Sequence, residues 1–385
     1  MPPRPHPRSG YLPSLDGWRA IAILGVLMVH DLPWRVGTHT NLAFIRYGSF
    51  GVILFFAISG VLISTRILEE ESLTGAFHLR SFYIRRLFRI QPAALAYLAV
   101  VAALMLPHLI PEYWHFWAGA LFLYENFLYN SAPATTFHGY FTGHFWTLAV
   151  EEHFYLLISL FLFFVRRRRI LILALALIAI KAIQITATHY TPDPLLRRTY
   201  WQIQILLFPS LAAMLLRLPK VRAAAIRWMQ PVPVLLLTAL AIALCHGILL
   251  PGIVRGRLAS LEIQIISYSF TFWVIATMLH PRSLVTRLLE TAPLRFLGRI
   301  SYSVYLWHVL FYSRIDGIHL GLHGMDLLSG RPWKYVATFA AAVASYYCIE
   351  KPLIRLGHRL APSATTPRQD LVDQPAAAQQ TTQTI

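Results

Sequence analysis

The chain has 385 residues, of which 56% are hydrophobic and 13% charged, against roughly 25% charged in an ordinary soluble domain. That balance excludes a water-soluble globule, and apolar runs of about 20 residues, the length a helix needs to cross a bilayer core, recur along almost the whole sequence. The formal net charge of +17 leaves two readings, a nucleic-acid surface or basic cytoplasmic loops, which the placement of the charges separates. Cys245 and Cys348 both lie inside apolar runs, which fits neither a disulfide framework nor a zinc cluster, and no metal is expected.

The first apolar run, Ala20 to Val29, runs straight into His30 without the small residues of a cleavage site, so it is expected to be a retained span. Ten more candidates follow at about 48–65, 91–110, 113–130, 145–165, 170–188, 200–216, 231–250, 260–280, 300–313 and 335–349. The segment from Tyr113 to Asn130 stands apart, because it carries His115, Glu125 and a crowd of interface-seeking aromatics. If it does not cross and the N-terminus is cytoplasmic, 24 of the 34 basic residues fall inside and 10 outside. If it crosses, the split becomes 16 inside against 18 outside. The positive-inside rule favours the first arrangement. The expectation is therefore an all-α, polytopic membrane bundle of about ten transmembrane helices plus one re-entrant or interfacial helix, with both termini cytoplasmic. Arg166 to Arg169 then read as a topology signal, and nucleic acid is set aside. Residues 1–14 form a cytoplasmic N-terminal segment, 15–360 one membrane domain without internal repeats, and 361–385, rich in Ala, Gln, Thr and Pro, a disordered cytoplasmic tail.

Ionisable groups inside a bilayer cost a few kcal/mol on insertion scales, so those that occur are functional candidates. Arg19 and His30 are eleven positions apart, which returns a helix to the same face about 16 Å further along. Asp16, three residues before Arg19, can pair with it there. Two readings stay open: a groove seen from two depths, or a snorkelling anchor and an interfacial histidine. Further on, His144 and Glu151 share a helix face by their seven-residue spacing, with Glu152 and His153 beside them. A desolvated carboxylate near an imidazole suits general acid and base work, whereas the same groups can simply join helices. The stretch Phe82 to Pro92 carries Arg85, Arg86 and Arg89. It reads as a basic amphipathic segment of the cytoplasmic loop, stopped by proline and suited to lipid phosphates or to a phosphorylated soluble ligand. Ser301, Tyr302, Tyr305, Trp307 and His308 on the ninth span, and Glu350-Lys351-Pro352 after the tenth, are weaker signals.

Five ordered segments resemble the acyltransferase-3 family of integral membrane acyltransferases over roughly Leu15 to Pro352. They are Leu15-Asp16-Gly17-Trp18-Arg19 with His30 after ten residues; Gly51-Val52-Ile53-Leu54-Phe55-Phe56-Ala57-Ile58-Ser59-Gly60; Phe82 to Arg89; Phe145-Trp146-Thr147-Leu148-Ala149-Val150-Glu151-Glu152-His153-Phe154-Tyr155; and Leu297 to His308. His153 stands where glutamine is common and Trp18 where leucine is. The resemblance implies transfer of an acyl group, usually acetyl, from cytoplasmic acyl-CoA to a hydroxyl of a glycan or glycolipid, in a bacterial inner membrane. It carries the family's histidine onto His30, its arginine onto Arg19 and its carboxylate onto Glu151. No soluble hydrolase-like domain is seen, so the chemistry is expected within the membrane part.

The resulting expectation puts CoA phosphates on Arg19, Arg86 and Arg89. His30 is expected to act as base or acyl carrier, polarised by Glu151 or Glu152. Asp16, Ser59, Trp146, Ser301, Tyr302 and His308 are expected to support them. Acyl-CoA is the donor substrate, with no resident cofactor. Two rivals are acylation of a small secondary metabolite such as a macrolide, and a transporter or flippase, whose pathways also use buried ionisable groups.

Overall fold

A computed structural model of the chain describes residues 11–31, 50–128, 139–188, 199–247, 252–312, 314–315, 318–319, 328 and 330–362. With so few polar side chains to pair with, the backbone satisfies its own hydrogen bonds as helix, the only open-ended solution in an apolar surrounding. The described helices are α1 (Pro13–Asp31), α2 (Phe50–Thr74), α3 (Leu79–Met105), α4 (Trp114–Leu121), α5 (Glu125–Leu128), α6 (Tyr140–Gly143), α7 (Phe145–Phe164) and α8 (Arg169–Thr188). They continue with α9 (Thr199–Leu215), α10 (Pro219–Trp228), α11 (Pro231–Gly247), α12 (Gly252–Leu279), α13 (Leu284–Leu289), α14 (Ala292–Phe311), α15 (Trp333–Ser345) and α16 (Lys351–Leu360). A π-helical turn, Tyr346–Glu350, joins the last two. The one strand pairing among the described residues is a two-residue antiparallel ladder that pairs Arg314 with His319 and Ile315 with Ile318.

Every candidate span except 113–130 lies on a long helix or an α-π-α run. Three stretches are by themselves long and apolar enough to cross a bilayer among the described residues: α2, α3 and the run Tyr140–Phe164. The pair α9 and α10 qualifies only together, bent by 106°. The 113–130 segment breaks into α4 and α5, of eight and four residues. At 1.5 Å per residue α4 is about 12 Å long, too short to cross, and Trp117 ties it to α3 by donating to the Leu98 carbonyl at 2.8 Å.

One local expectation is corrected. Pro92 does not stop the basic stretch, because α3 continues through it to Met105; a helix packed among neighbours tolerates the lost backbone donor. Arg85, Arg86 and Arg89 therefore belong to the first turns of a spanning helix and not to a loop. The chain reaches that helix through a tight turn in which Gly75 adopts φ +77°, a conformation open to glycine at little cost.

The core of the bundle is α1, which packs mainly against α14 and α2. Small residues permit this approach. A Cβ at Gly298 of α14 would strike the Asp16 backbone, and one at Gly17 would strike Leu289, so the α1–α14 seam is a small-residue contact of the kind that brings membrane helices together. At its other end α1 is fastened to α15. Asp31 accepts from Arg331 at 2.6 Å and from the Tyr335 hydroxyl at 2.7 Å, and it pairs with Lys334. Arg169, from the basic run at the start of α8, grips Glu71 through both of its terminal nitrogens, at 2.5 and 3.0 Å. The tail beyond Pro362 and most of the segment before Tyr11 lie outside the described residues.

Candidate functional site

A cavity of about 620 Å³ opens between α1, α2, α3, α7, α14 and the π-turn. One end is lined by Arg66, Glu70, Arg85 and His358, the middle by Arg19, Arg86, Arg89 and Arg299, and the other end by His144, Thr147 and Tyr305. The three arginines expected from the sequence, on two different helices, thus converge on one space, and their charges are close enough to oppose one another. Arg19 pairs with Asp16 at 3.2 Å, Arg85 with Glu70 at 3.0 Å and Arg66 with Glu69 at 3.5 Å. Among the described residues, Arg86, Arg89 and Arg299 have no ion pair. Arg86 instead lies over the Tyr155 ring at 5.0 Å and the Phe82 ring at 5.8 Å, a cation–π seat that holds the guanidinium without neutralising it. Excess positive charge in a partly enclosed cleft is a demand for an anion, and guanidinium forks match phosphate geometry.

Glu151 faces the cavity and Glu152 does not, as their 100° offset requires. The partners of Glu151 differ from the expected pairing with His30. One carboxylate oxygen accepts from both the Ser59 hydroxyl and the Tyr155 hydroxyl, the latter at 2.8 Å, so Glu151 anchors α2 to α7 within the arginine region. The residue four before Tyr155 on a helix is necessarily its neighbour, which is the signal that would have found Tyr155. His30 lies elsewhere, at the C-terminal end of α1. Its Nδ1 contacts the Val26 carbonyl at 2.9 Å and its ring meets the His308 ring edge-on, with centroids 4.7 Å apart.

His308 is wholly buried and is placed 5.8 Å from the ring of His144. The structure therefore joins His30 to His144 through His308 and not to Glu151. Around them Tyr305 donates to the His144 carbonyl at 2.8 Å and shares a hydrogen bond with Thr147 at 2.6 Å.

Of the remaining expected residues, Asp16 receives the Tyr11 hydroxyl in addition to Arg19, Ser301 lines the cavity, and Tyr302 lines it while donating to the Ile90 carbonyl at 2.8 Å. Trp146 points away from the cavity and packs edge-on against Phe56. His153 also faces away, sharing a hydrogen bond with Thr199 at 2.7 Å. Glu350, which lines the cavity from the π-turn and accepts from Ser303, was too isolated in the sequence to be placed there, since only folding brings α14 and the π-turn together. No group of three or more metal-binding side chains is found among the described residues.

Beside the histidine end of the site, in the turn between α3 and α4, Glu112 accepts from the Phe141 backbone at 2.9 Å and from Thr142 at 3.4 Å. Burial pushes its carboxyl up to about 7 against the pull of these bonds. It secures the short helix α6 that leads into His144, and Tyr97 holds the same segment by donating to the Phe141 carbonyl at 2.7 Å.

The sequence is similar to O-acetyltransferase OatA of Staphylococcus aureus strain NCTC 8325 / PS 47 and to OatA of strain MRSA252, each 29% identical over 368 residues. In both cases the match covers 91% of this chain and 58% of the relative, so the chain spans a little over half the length of these curated relatives. No solved structure matches. A profile described as an acyltransferase domain matches residues 12–351, which takes in every helix that lines the cavity except α16. The chain therefore belongs to the acyltransferase-3 family.

Proposed function

We propose that this protein is a membrane O-acetyltransferase that moves an acetyl group from acetyl-CoA to a hydroxyl of a glycan or glycolipid. Carrying the reading is the one cavity that runs from the arginines without an ion pair to His144, the lining member of the histidine cluster. The phosphates of CoA sit on Arg86, Arg89 and Arg19, and the pantetheine arm extends along α1 and α7 toward His144. The thioester then meets the acceptor between His144 and His30. His30 takes the acceptor proton as the hydroxyl oxygen attacks the carbonyl carbon, and sulfur leaves. The backbone carbonyl contact at Nδ1 fixes that nitrogen as the N–H, which leaves Nε2 as the basic one. Glu151 acts at one remove: with Ser59 and Tyr155 it sets the wall against which Arg86 rests.

Ten spans with both termini on the cytoplasmic side of a bacterial inner membrane suit this chemistry, because the arginine end then opens to the cytoplasmic acyl-CoA pool. The broken helices α4 and α5 lie on the opposite side, next to His144 through α6. Purified protein in nanodiscs should release CoA from acetyl-CoA, with an acceptor or slowly with water. No thioester turnover, together with movement of a glycolipid across vesicles, would favour a transporter.

A further inference from the structure

His144 is an anomaly. It is 6% exposed, it lines the cavity, and among the described residues neither ring nitrogen makes a well-aligned hydrogen bond, the Leu306 backbone approaching without completing one. Buried imidazoles normally satisfy at least one nitrogen, so an unsatisfied pair asks for an explanation. His308, 0% exposed, donates through Nδ1 to the Tyr305 carbonyl at 2.6 Å, and its Nε2 has no partner. The titratable groups packed around the two rings are His30, Tyr97, Tyr305 and Tyr312, and Glu112 stands behind Tyr97. None of these hydroxyls is directed at an imidazole nitrogen: Tyr97 donates to Phe141 and Tyr305 to the His144 backbone.

Acyl transfer between an alcohol and a thioester releases one proton and consumes one. The acceptor O–H bond breaks, an O–C bond forms, the C–S bond breaks, and sulfur leaves with the electron pair as a thiolate that must take up a proton to end as CoA–SH. In this structure the two events fall to different imidazoles. His30 stands at the acceptor side, outside the cavity lining, and His144 inside the lining where the sulfur must lie. The two ring steps of 4.7 and 5.8 Å limit the gap between the His30 and His144 rings to the order of an H–O···C–S unit with an imidazole at either end. We propose that His144 is the acid that protonates the departing CoA sulfur, and that His308 returns to it the proton collected by His30, so that the His30–His308–His144 array carries the reaction's proton around the reacting carbon. His308 exchanges the proton at Nε2, since Nδ1 is committed to the Tyr305 carbonyl. The array rests on the reading of His30 as base and adds the acid that the reading lacks.

The test uses full-length protein in nanodiscs, acetyl-CoA alone as donor, water as acceptor, and CoA release as the readout. His144→Ala should lower turnover by about 10²-fold or more, the lower range for loss of a positioned acid. Added imidazole should restore it by at least tenfold over the rate of His30→Ala in the same solution. Pyrrole, of the same shape but without a basic nitrogen, should restore nothing. Rescue by both compounds, or by neither, would overturn the proposal, as would wild-type turnover of His144→Ala. His144→Gln, with a polar side chain of similar size, must show the same loss, so that a folding defect of the alanine variant does not decide the outcome. If His30→Ala itself turns over acetyl-CoA normally, the base assignment fails. If His30→Ala is inactive and His144→Ala is not rescued, the array alone fails.

Discussion

The two ends of the cavity are built on opposite principles. At the arginine end some charged groups have a partner that can be named, Asp16 for Arg19, Glu70 for Arg85, Ser59 and Tyr155 for Glu151, and the guanidinium groups of Arg86, Arg89 and Arg299, without an ion pair among the described residues, are left for an anion. At the histidine end the polar atoms are buried, and among the described residues the nitrogens of His144 and Nε2 of His308 make no well-aligned hydrogen bond. A charged wall holds a ligand by its phosphates whether or not chemistry occurs. An unsatisfied buried cluster gains its partners only when reacting groups arrive, which is where binding energy raises a rate. The comparison assigns affinity to one end and turnover to the other, and substitutions should divide accordingly.

The largest effect is expected at His30. His30→Ala should remove acetyl-CoA turnover to the limit of detection while CoA binding stays near wild type, and normal turnover would dismiss His30 as a catalytic residue. Next comes Glu151→Gln. It keeps the acceptor oxygen for Ser59 and Tyr155 but removes the charge beside Arg86, and turnover at low acetyl-CoA should fall through KM by the equivalent of about 1.5 to 3 kcal/mol. Glu152→Gln should change turnover by less than about tenfold, because Glu152 does not face the cavity. The reverse order would mean that the face of α7 has been misassigned. Arg19→Ala and Arg89→Ala should each raise the KM for acetyl-CoA by the equivalent of about 1.5 to 3 kcal/mol, a charge-assisted contact, with kcat little changed. A fall in kcat at constant KM would move the arginines to the chemical end.

The smallest effect concerns Glu112. Its folded carboxyl titrates at about 7, above the ordinary 4.5, so the folded state holds the proton more tightly than the unfolded one. The stabilisation is fully present below about 4.5 and is lost as pH rises through about 7. Glu112→Gln should therefore match wild type at pH 5 and melt a few °C higher at pH 8. An equal shift at both pH values would contradict a buried titrating carboxyl.

Much of the arginine end was legible in the sequence, because its determinants are local. The three-residue spacing of Asp16 and Arg19 gives their ion pair, the Arg86 and Arg89 repeat gives one face of α3, and the angular offset of Glu151 and Glu152 sends only the first into the cavity. That 113–130 differs from the other candidate spans followed from its polar and aromatic content, and the short α4 and α5 agree with that difference. The histidine end was less legible because its contacts join residues far apart in the chain. Nothing local in Ser301 to His308 says that His308 will lie between His30 and His144, and a shared face between His144 and Glu151 suggested a partnership with His30 that His308 occupies instead. Pro92 misled for a related reason: its local rule is to stop a helix, and the surrounding bundle overrides it.

The division between binding and chemistry is tested most directly by measuring the equilibrium affinity of CoA for His30→Ala and for the double variant Arg86→Ala/Arg89→Ala in nanodiscs. The account predicts a Kd within about twofold of wild type for His30→Ala, which has no turnover. For the double variant it predicts a loss of affinity of at least tenfold, the 1.4 kcal/mol scale of one lost charge contact or more. Wild-type affinity in the double variant, or a His30→Ala protein that no longer binds CoA, would contradict it.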